Sequence, residues 1–288
     1  MAGMSPLSAA ADVAAGIRPA QRRPPGEPSR MSRTGRRWAV PVAILVLWQV
    51  LAVVGLLPRS SFPSPADVLQ AWWTWAAGPR IALAWYSGTW VPYMLLSLRR
   101  VVIGFTIAAG GGIGLGVLIG WYAAVDDLFD GVINFMRSIP MTAWLPFAVF
   151  FFGIHEPAAL FLIALGSFFP IVVNAAAGTK QTPRLLIRAA LMLGTKPQRL
   201  LVRVVIPSAL PSIFTGLRVG LGLAWVLVIV AEMLAVQGGL GYALWSAYQF
   251  DRLDLIIAAI LSVGTLGLSS DRLLRALSNR VLRWQTGL

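Results

Sequence analysis

The chain has 288 residues, of which 57% are hydrophobic and only 12% are charged. Soluble domains carry about 25% charged residues, so this composition indicates a membrane protein. The sequence has no cysteine, which excludes disulfides and thiolate chemistry. The net charge of +13 could suggest nucleic acid, but the basic residues cluster at the ends of apolar segments. We therefore expect a lipid membrane and no nucleic acid as the chain's surroundings.

Residues 1–37 are rich in Pro, Ala and Arg and show no helical stripe, which predicts a disordered basic tail. Met31 is an alternative start of translation within this tail. The apolar segment at 38–58 is too long for a signal-peptide core, and no small-residue cleavage site follows it. We expect this segment to be an uncleaved membrane anchor.

Charge-poor windows predict six membrane helices, because about 20 apolar residues cross a bilayer. The windows lie at 38–58, 101–125, 138–154, 157–179, 208–236 and 255–270. They divide the chain into the tail, a first helix with an outer segment at 38–92, a core at 93–275, and a C-terminal tail at 276–288.

Lys and Arg concentrate in three segments that six spans would place on one side of the membrane. The N-terminal tail holds seven, the segment after the fourth span six, and the C-terminus four of the 24. Basic residues favour the cytoplasmic side, so both termini and the segment at 180–207 are predicted to be cytoplasmic. The loop with Asp126, Asp127 and Asp130 falls on the same side.

The outer segment after the first span begins with a helix signal, Ser64 as N-cap and Pro65 in the first turn. A group of aromatic residues follows: Trp72, Trp73, Trp75, Trp85, Tyr86 and Trp90. Aromatic side chains are typical of the membrane interface. A helix lying in that interface and a contact for an extracytoplasmic protein both remain open.

Glycines spaced by four lie on one helix face and allow two backbones to approach closely. Gly112, Gly116 and Gly120 in the second span, with Gly216 and Gly220 in the fifth, are predicted helix-packing positions. No phosphate-binding glycine motif is present, and neither Lys180 nor Lys196 follows a glycine. The chain is therefore not expected to bind ATP itself.

The polar segment at 180–207 predicts two short amphipathic helices. Thr182 is the expected N-cap of the first, and Gly194 ends it as a left-handed C-terminal glycine. Thr195 and Gln198 suggest a capping box for the second, and Pro207 and Pro211 are expected to break the run. From spacing alone, a partner-binding loop and a basic loop on anionic headgroups are both open.

The same segment resembles the EAA loop of binding-protein-dependent ABC importer permeases of type I. The resemblance rests on Ala189, Ala190, Gly194, Ile206 and Pro207 at the family's spacing, with Arg188 where the motif has Glu. Further runs resemble the nitrate, sulfonate, taurine and bicarbonate permeases: 97–105, 137–140, 165–171, 216–218, 224–225, 231–233 and 239–242.

The resemblance implies an all-α membrane protein of six transmembrane helices with the MetI-like permease fold. It implies a cytoplasmic ABC ATPase that docks on residues 182–207, an extracytoplasmic solute-binding protein and a second permease copy, with no cofactor or metal. The resemblance also suggests a small anionic substrate, moved by alternating access across the bacterial cytoplasmic membrane.

Two charged residues in the fifth span are candidates for the translocation path. Arg218 lies near mid-membrane, where it either lines the path of an anion or anchors to neighbouring carbonyls. Glu232 is about 21 Å further along a helix, too far for contact, and is expected at a gate or capping a neighbouring helix. Arg99 and Arg100 near the outer end of span two fit either snorkelling or attraction of substrate.

Two other classes of function are alternatives to an ABC importer permease. An ion-coupled secondary transporter would use Glu232 as proton carrier and would leave residues 182–207 unexplained. A membrane enzyme lacks a nucleophile with a base or a metal-ligand cluster, since the single His155 sits in a short turn.

Overall fold

The computed structural model describes residues 30–54, 63–79 and 85–283, with side chains from residue 39 onward. Of the tail predicted at 1–37, residues 1–29 lie outside the described residues, and the alternative start Met31 falls on the first described helix. The chain divides into two compact units, Met1–Leu51 and Ala52–Leu288. The described residues are helical with connecting turns and contain no β-strand.

Helix α1, Arg30–Val53, begins inside the predicted tail rather than at Trp38. In the second unit, α2 is Pro65–Ala77, α3 Trp90–Trp121, α4 Ala123–Ser138, α5 Leu145–Phe152 and α6 Glu156–Lys180. The chain continues with α7 at Arg184–Met192, α8 at Pro197–Leu200, α9 at Ile206–Leu234, α10 at Leu240–Gln249 and α11 at Leu253–Val281.

Four described helices are long and apolar enough to cross a membrane: α3, α6, the continuous run Pro197–Leu234, and α11. Helices α4 and α5, joined by a 3₁₀ turn at Met141–Trp144, become a fifth if the bent pair is one span. The apolar part of α1, Ala39–Val53, is shorter. The count of six therefore remains a prediction.

The third predicted span, 138–154, was wrong as a straight helix. Ser138 is the last residue of α4, and the chain bends by 90° before α5. Pro140 disfavours a helical conformation at Ile139 and cannot donate a backbone hydrogen bond, so the helix stops there. Asp126, Asp127 and Asp130, predicted in a loop, lie on α4. Helix α11 likewise extends to Val281, into the predicted C-terminal tail.

The predicted start of α2 is confirmed. The Ser64 hydroxyl accepts from the Asp67 backbone N–H at 3.2 Å, and the Asp67 carboxylate accepts from the Ser64 N–H at 2.9 Å. The aromatic segment does not act as one surface, because Trp75 is fully buried while Trp73 is 66% exposed. Trp75 packs in a cluster with Leu240 and Leu255, so α2 is part of the helical bundle.

Helix α6 lies between α3 and α9 and contacts both through the predicted glycines. Along α3, Gly112 meets Ile171, Gly116 meets Ala175 and Gly120 meets Thr179, so α3 and α6 run parallel. Along α9, Gly216 meets Asn174 and Gly220 meets the Ser167 carbonyl, so α9 runs antiparallel to α6. These contacts bring the helix backbones close together at the glycines.

The glycine contacts predict that substitution by alanine changes stability in opposite directions at two nearby positions of α3. A Cβ at Gly116 would lie 2.6 Å from the Ala175 Cβ and 2.6 Å from the Val172 carbonyl oxygen, whereas a Cβ at Gly114 meets nothing within 4 Å. Gly116→Ala should cost about 1–3 kcal/mol through overpacking. Gly114→Ala should be neutral or stabilise by up to about 1 kcal/mol through helix propensity.

Thermal unfolding midpoints of Gly116→Ala and Gly114→Ala, measured in the same detergent, test this prediction. Equal midpoints would contradict the close approach of α3 and α6.

Candidate functional site

The segment between α6 and α9 forms two short helices that meet at Gly194, as its sequence predicts. We call the turn at Gly194 the joint. Gly194 has φ +75° and follows α7. The Thr195 N–H donates to the Ala190 carbonyl at 3.1 Å and the Gly194 N–H to the Leu191 carbonyl at 2.9 Å. This is the Schellman pattern, in which a left-handed glycine satisfies the last carbonyls of a helix. The prediction that Gly194 ends the first helix is confirmed.

The two predicted caps around this joint are wrong. Helix α7 starts after Pro183, with no side-chain cap, and the buried Thr182 hydroxyl has no hydrogen-bond partner among the described residues. The N-cap of α8 is Lys196 rather than Thr195, again without a side-chain hydrogen bond. The cap shifts because Thr195 donates its backbone N–H to the end of α7 and is held by the Schellman turn.

Pro207 does not break the helical run as predicted. Between α8 and α9 the chain forms a π-helical turn at Leu201–Val205, closed by the Ile206 N–H donating to the Leu201 carbonyl. The wider turn accommodates a proline that lacks a donor for the ordinary i→i−4 bond. Pro211 also lies inside α9. The second loop helix is therefore continuous with a membrane helix.

Helix α7 presents an apolar surface that no other described part of the chain covers. Leu185, Met192 and Leu193 are 78%, 88% and 85% exposed. Arg188 and Ala189 are exposed beside them, and Ala190 is half-buried. Exposed apolar residues next to basic ones are typical of an interaction surface. Ile206 and Pro207 are half-buried where the run enters the bundle.

At the other end of α9, Glu232 is completely buried in a polar cluster. Its carboxylate accepts from the Ser97 hydroxyl at 2.7 and 2.8 Å, from Arg100 Nη1 at 2.9 Å and from the Gly241 N–H at 2.9 Å. Gly241 is in the first turn of α10, so Glu232 caps a neighbouring helix, one of the two expected roles. As expected from their separation, it makes no hydrogen bond to Arg218.

Arg100 was not expected to be buried, and snorkelling does not describe it. It is 2% exposed, pairs with Glu232, and also donates from Nη1 to the Gly238 carbonyl at 2.7 Å. Its Nη2 lies 3.3 Å from Glu156 in the first turn of α6. Arg99 is 61% exposed and lies 3.3 Å from the same carboxylate. A charge within an apolar helix requires a partner, and that rule could have matched Arg100 with Glu232.

A two-glycine turn closes over the carboxylate. Gly238 and Gly239 have φ +91° and +117°, and a Cβ at Gly239 would collide with the Glu232 carboxylate. The turn brings the Gly238 carbonyl to Arg100 and the α10 N-terminus to Glu232. The cluster thus ties together α3, α6, α9 and α10.

Arg218 joins α9 to α11 by a salt bridge. Its Nε donates to Asp271 Oδ1 at 2.9 Å, and Arg275 holds the other oxygen of Asp271 at 2.8 Å. The Arg218 side chain is 42% exposed. It is anchored by a carboxylate rather than by carbonyls. Among the described residues, no group of three His, Cys, Asp or Glu could hold a metal ion.

Residues 112–283, which contain the loop, Glu232 and Arg218, match the family described as "Binding-protein-dependent transport system inner membrane component". The chain belongs to this family. It is the membrane permease of an ABC transporter, with ATP hydrolysed by a separate subunit, and family membership implies an ATPase and a substrate-binding protein as partners. The secondary-transporter rival is therefore not supported.

Several relatives cover most of the permease. A putative ABC transporter permease of Methanocaldococcus jannaschii is 38% identical over 252 residues, 86% of this chain and 91% of the relative. The nitrate import permease NrtB of Synechocystis sp. is 33% identical, covering 94% and 98%. The putative aliphatic sulfonates transport permease SsuC of Escherichia coli is 36% identical, covering 86% and 90%. The predicted subgroup is confirmed.

The fold is similar to that of a solved MetNI methionine ABC transporter in an inward-facing conformation. The TM-score is 0.54 at 20% identity, covering 65% of this chain and 94% of that chain. The likeness confirms the predicted all-α, MetI-like fold.

The buried cluster predicts that two adjacent arginines of the permease differ in their effect on stability. Arg100→Gln leaves Glu232 buried without its cation, which should cost about 3–5 kcal/mol. Arg99→Gln removes only an exposed ion pair, for which about 0–1 kcal/mol is typical.

The measurement is denaturation of both variants in the same detergent, with Glu232→Gln and the Arg100→Gln/Glu232→Gln double variant closing a thermodynamic cycle. Strict additivity of the two single changes would contradict the direct pairing.

Proposed function

We propose that this permease imports a small oxyanion by alternating access, as one of two identical copies that form the membrane part of the transporter. The relatives named for nitrate and aliphatic sulfonates support the choice of substrate class. The proposed complex adds a cytoplasmic ABC ATPase and an extracytoplasmic solute-binding protein. The Lys and Arg distribution supports a cytoplasmic position for both termini, the tail at 276–288 and residues 180–207.

The observation that carries the proposal is the exposed helix α7, joined at Gly194 to a helix that continues into the membrane. We assign residues 182–207 within the core at 93–275 as the ATPase-coupling loop. Leu185, Met192 and Leu193 supply the docking surface, and small Ala189 and Ala190 allow close approach. Because Arg188 stands where the family's motif has Glu, apolar contact and shape carry the docking.

Movement of the ATPases would reach the membrane through α8, the π-helical turn and α9. These form one helical run, Pro197–Leu234, so a displacement at Lys196 and Pro197 is transmitted along a rigid element. Alternating access then follows as a rigid-body change between two packings of the bundle.

Reconstitution into proteoliposomes with the partner ATPase and binding protein tests the function. We expect uptake of labelled nitrate or methanesulfonate that requires ATP and all three components. Uptake driven by a proton gradient without the ATPase would overturn the proposal and restore Glu232 as a proton carrier.

The coupling role of the joint is tested by two changes at one residue. Gly194→Val forces a β-branched side chain into a left-handed conformation, whereas Gly194→Asn is tolerated there. A Cβ at this position meets nothing within 4 Å, so the fold of the bundle should persist in both. We expect Gly194→Val to reduce uptake about tenfold, equivalent to about 1.4 kcal/mol, while ATP hydrolysis continues.

The measurement is uptake per ATP hydrolysed, with Gly194→Asn as the matched control. Wild-type uptake in Gly194→Val would count against the joint.

A further inference from the structure

Helix α4 carries two opposite stripes along its length. Leu128, Val132 and Phe135 are 69%, 53% and 65% exposed and form an apolar face. Asp126, Asp130, Asn134 and Arg137, spaced by three and four, form the other face. Helices α4 and α5 together are long and apolar enough for a membrane span, and in a membrane the apolar stripe suits lipid while the polar stripe requires water or partners.

The polar stripe lines two cavities that share residues. A cavity of about 210 Å³ lies between α4 and α6, with Asp126 and Lys180 at one end and Arg137 at the other. A second, of about 340 Å³, extends from Arg137 to Gly166 on α6 and Leu223 on α9. Arg137 and Val173 line both cavities, so the two form one groove that runs from the end of α6 at Lys180 past Arg137 to Leu223 on α9.

The groove passes the break between α4 and α5. Ser138, Ile139, Pro140 and Met141 line its inner part. Irregular backbone at membrane depth is tolerated where it lines a water-filled cavity or is buried in protein. A 90° bend here therefore fits a path that contains water.

Arg137 differs in its pairing from Arg100 and Arg218, the arginines described above on α3 and α9. Arg100 is neutralised by Glu232 and Arg218 by Asp271. In the same groove, Asp126 forms an ion pair with Lys180. Within the described residues, Arg137 has neither a hydrogen bond nor an ion pair from its side chain. Its guanidinium therefore keeps all of its donors for a ligand in the groove.

We infer that Arg137 binds the transported oxyanion at the α4–α5 break, in a path that opens toward Lys180. A planar guanidinium can donate two parallel hydrogen bonds to two oxygens of one anion, which matches nitrate, sulfonate and bicarbonate groups. The inference rests on the proposed function and adds its anion-binding residue. It assigns this task to Arg137 in place of Arg218, whose Nε is engaged by Asp271.

The absence of cysteine allows a test that does not depend on transport. Single changes Asn134→Cys and Val173→Cys place thiols in the groove, and Val132→Cys and Phe135→Cys place matched thiols on the apolar face of α4. Inverted membrane vesicles are treated with two membrane-impermeant methanethiosulfonates, one anionic with a sulfonate and one cationic with a trimethylammonium. We expect the groove thiols to react and the apolar-face thiols not to react.

The role of Arg137 is tested by comparing how fast the anionic and the cationic reagent label the same thiol. At the Val173→Cys position we expect the anionic reagent to be favoured, and the ratio of the two rates to fall about fivefold when Arg137→Gln is added. Fivefold corresponds to about 1 kcal/mol, the interaction of unit charges about 4 Å apart in water. Arg137→Lys should retain the preference, and millimolar nitrate or methanesulfonate should slow labelling only when the cation at 137 is present.

Unreactive groove thiols, or a charge preference that Arg137→Gln leaves unchanged, would overturn the inference. Uptake measurements distinguish a failure of this inference from a failure of the proposed function. If wild-type proteoliposomes import anions with ATP and Arg137→Gln imports them equally well, the function stands and Arg137 is not its binding residue. A raised KM for uptake in Arg137→Gln, with ATP hydrolysis retained, is the expected result.

Discussion

The close approach of α6 to α3 on one side and to α9 on the other organises the core of the permease. Gly112, Gly116 and Gly120 place the α3 backbone against α6, and Gly216 and Gly220 do the same for α9. In a bilayer, lipid tails are as apolar as the side chains, so helices associate through close packing and interhelical hydrogen bonds. The bundle therefore depends on residues that have little or no side chain.

Some charged residues of this bundle pair across helices, whereas Arg137 has no hydrogen bond or ion pair among the described residues. Glu232 and Arg100 neutralise each other without access to solvent and join four helices near one end. Arg218 and Asp271 join α9 to α11. Arg137, at the α4–α5 break, faces a groove without a partner in the described part of the chain. Arg100 and Arg218 therefore hold helices together, whereas Arg137 is the residue proposed to bind the anion.

The loop residues at 182–207 and the groove lie on elements that meet at α6. Helix α7 follows directly from the α6 end at Lys180, and Lys180 pairs with Asp126 of α4. On the other side of the Gly194 joint, the run Pro197–Leu234 packs against α6 and reaches Leu223 in the groove. The proposed docking surface and the proposed anion site are therefore both connected to α6 and to the run Pro197–Leu234, and these two elements would transmit a movement of the ATPase to the proposed path.

The sequence by itself determined the membrane class, the permease family, the packing glycines and the left-handed turn at Gly194. These depend on composition, on spacing along one helix and on local backbone conformation, all of which are encoded within a few neighbouring residues. Only the tertiary structure decided that Arg100 pairs with Glu232, that Arg218 pairs with Asp271, and that α4 and α5 meet at a 90° bend where the polar stripe of α4 faces a groove. Each of these joins residues from different helices, and a buried charge is stable only where the packing of those helices brings it a partner or water.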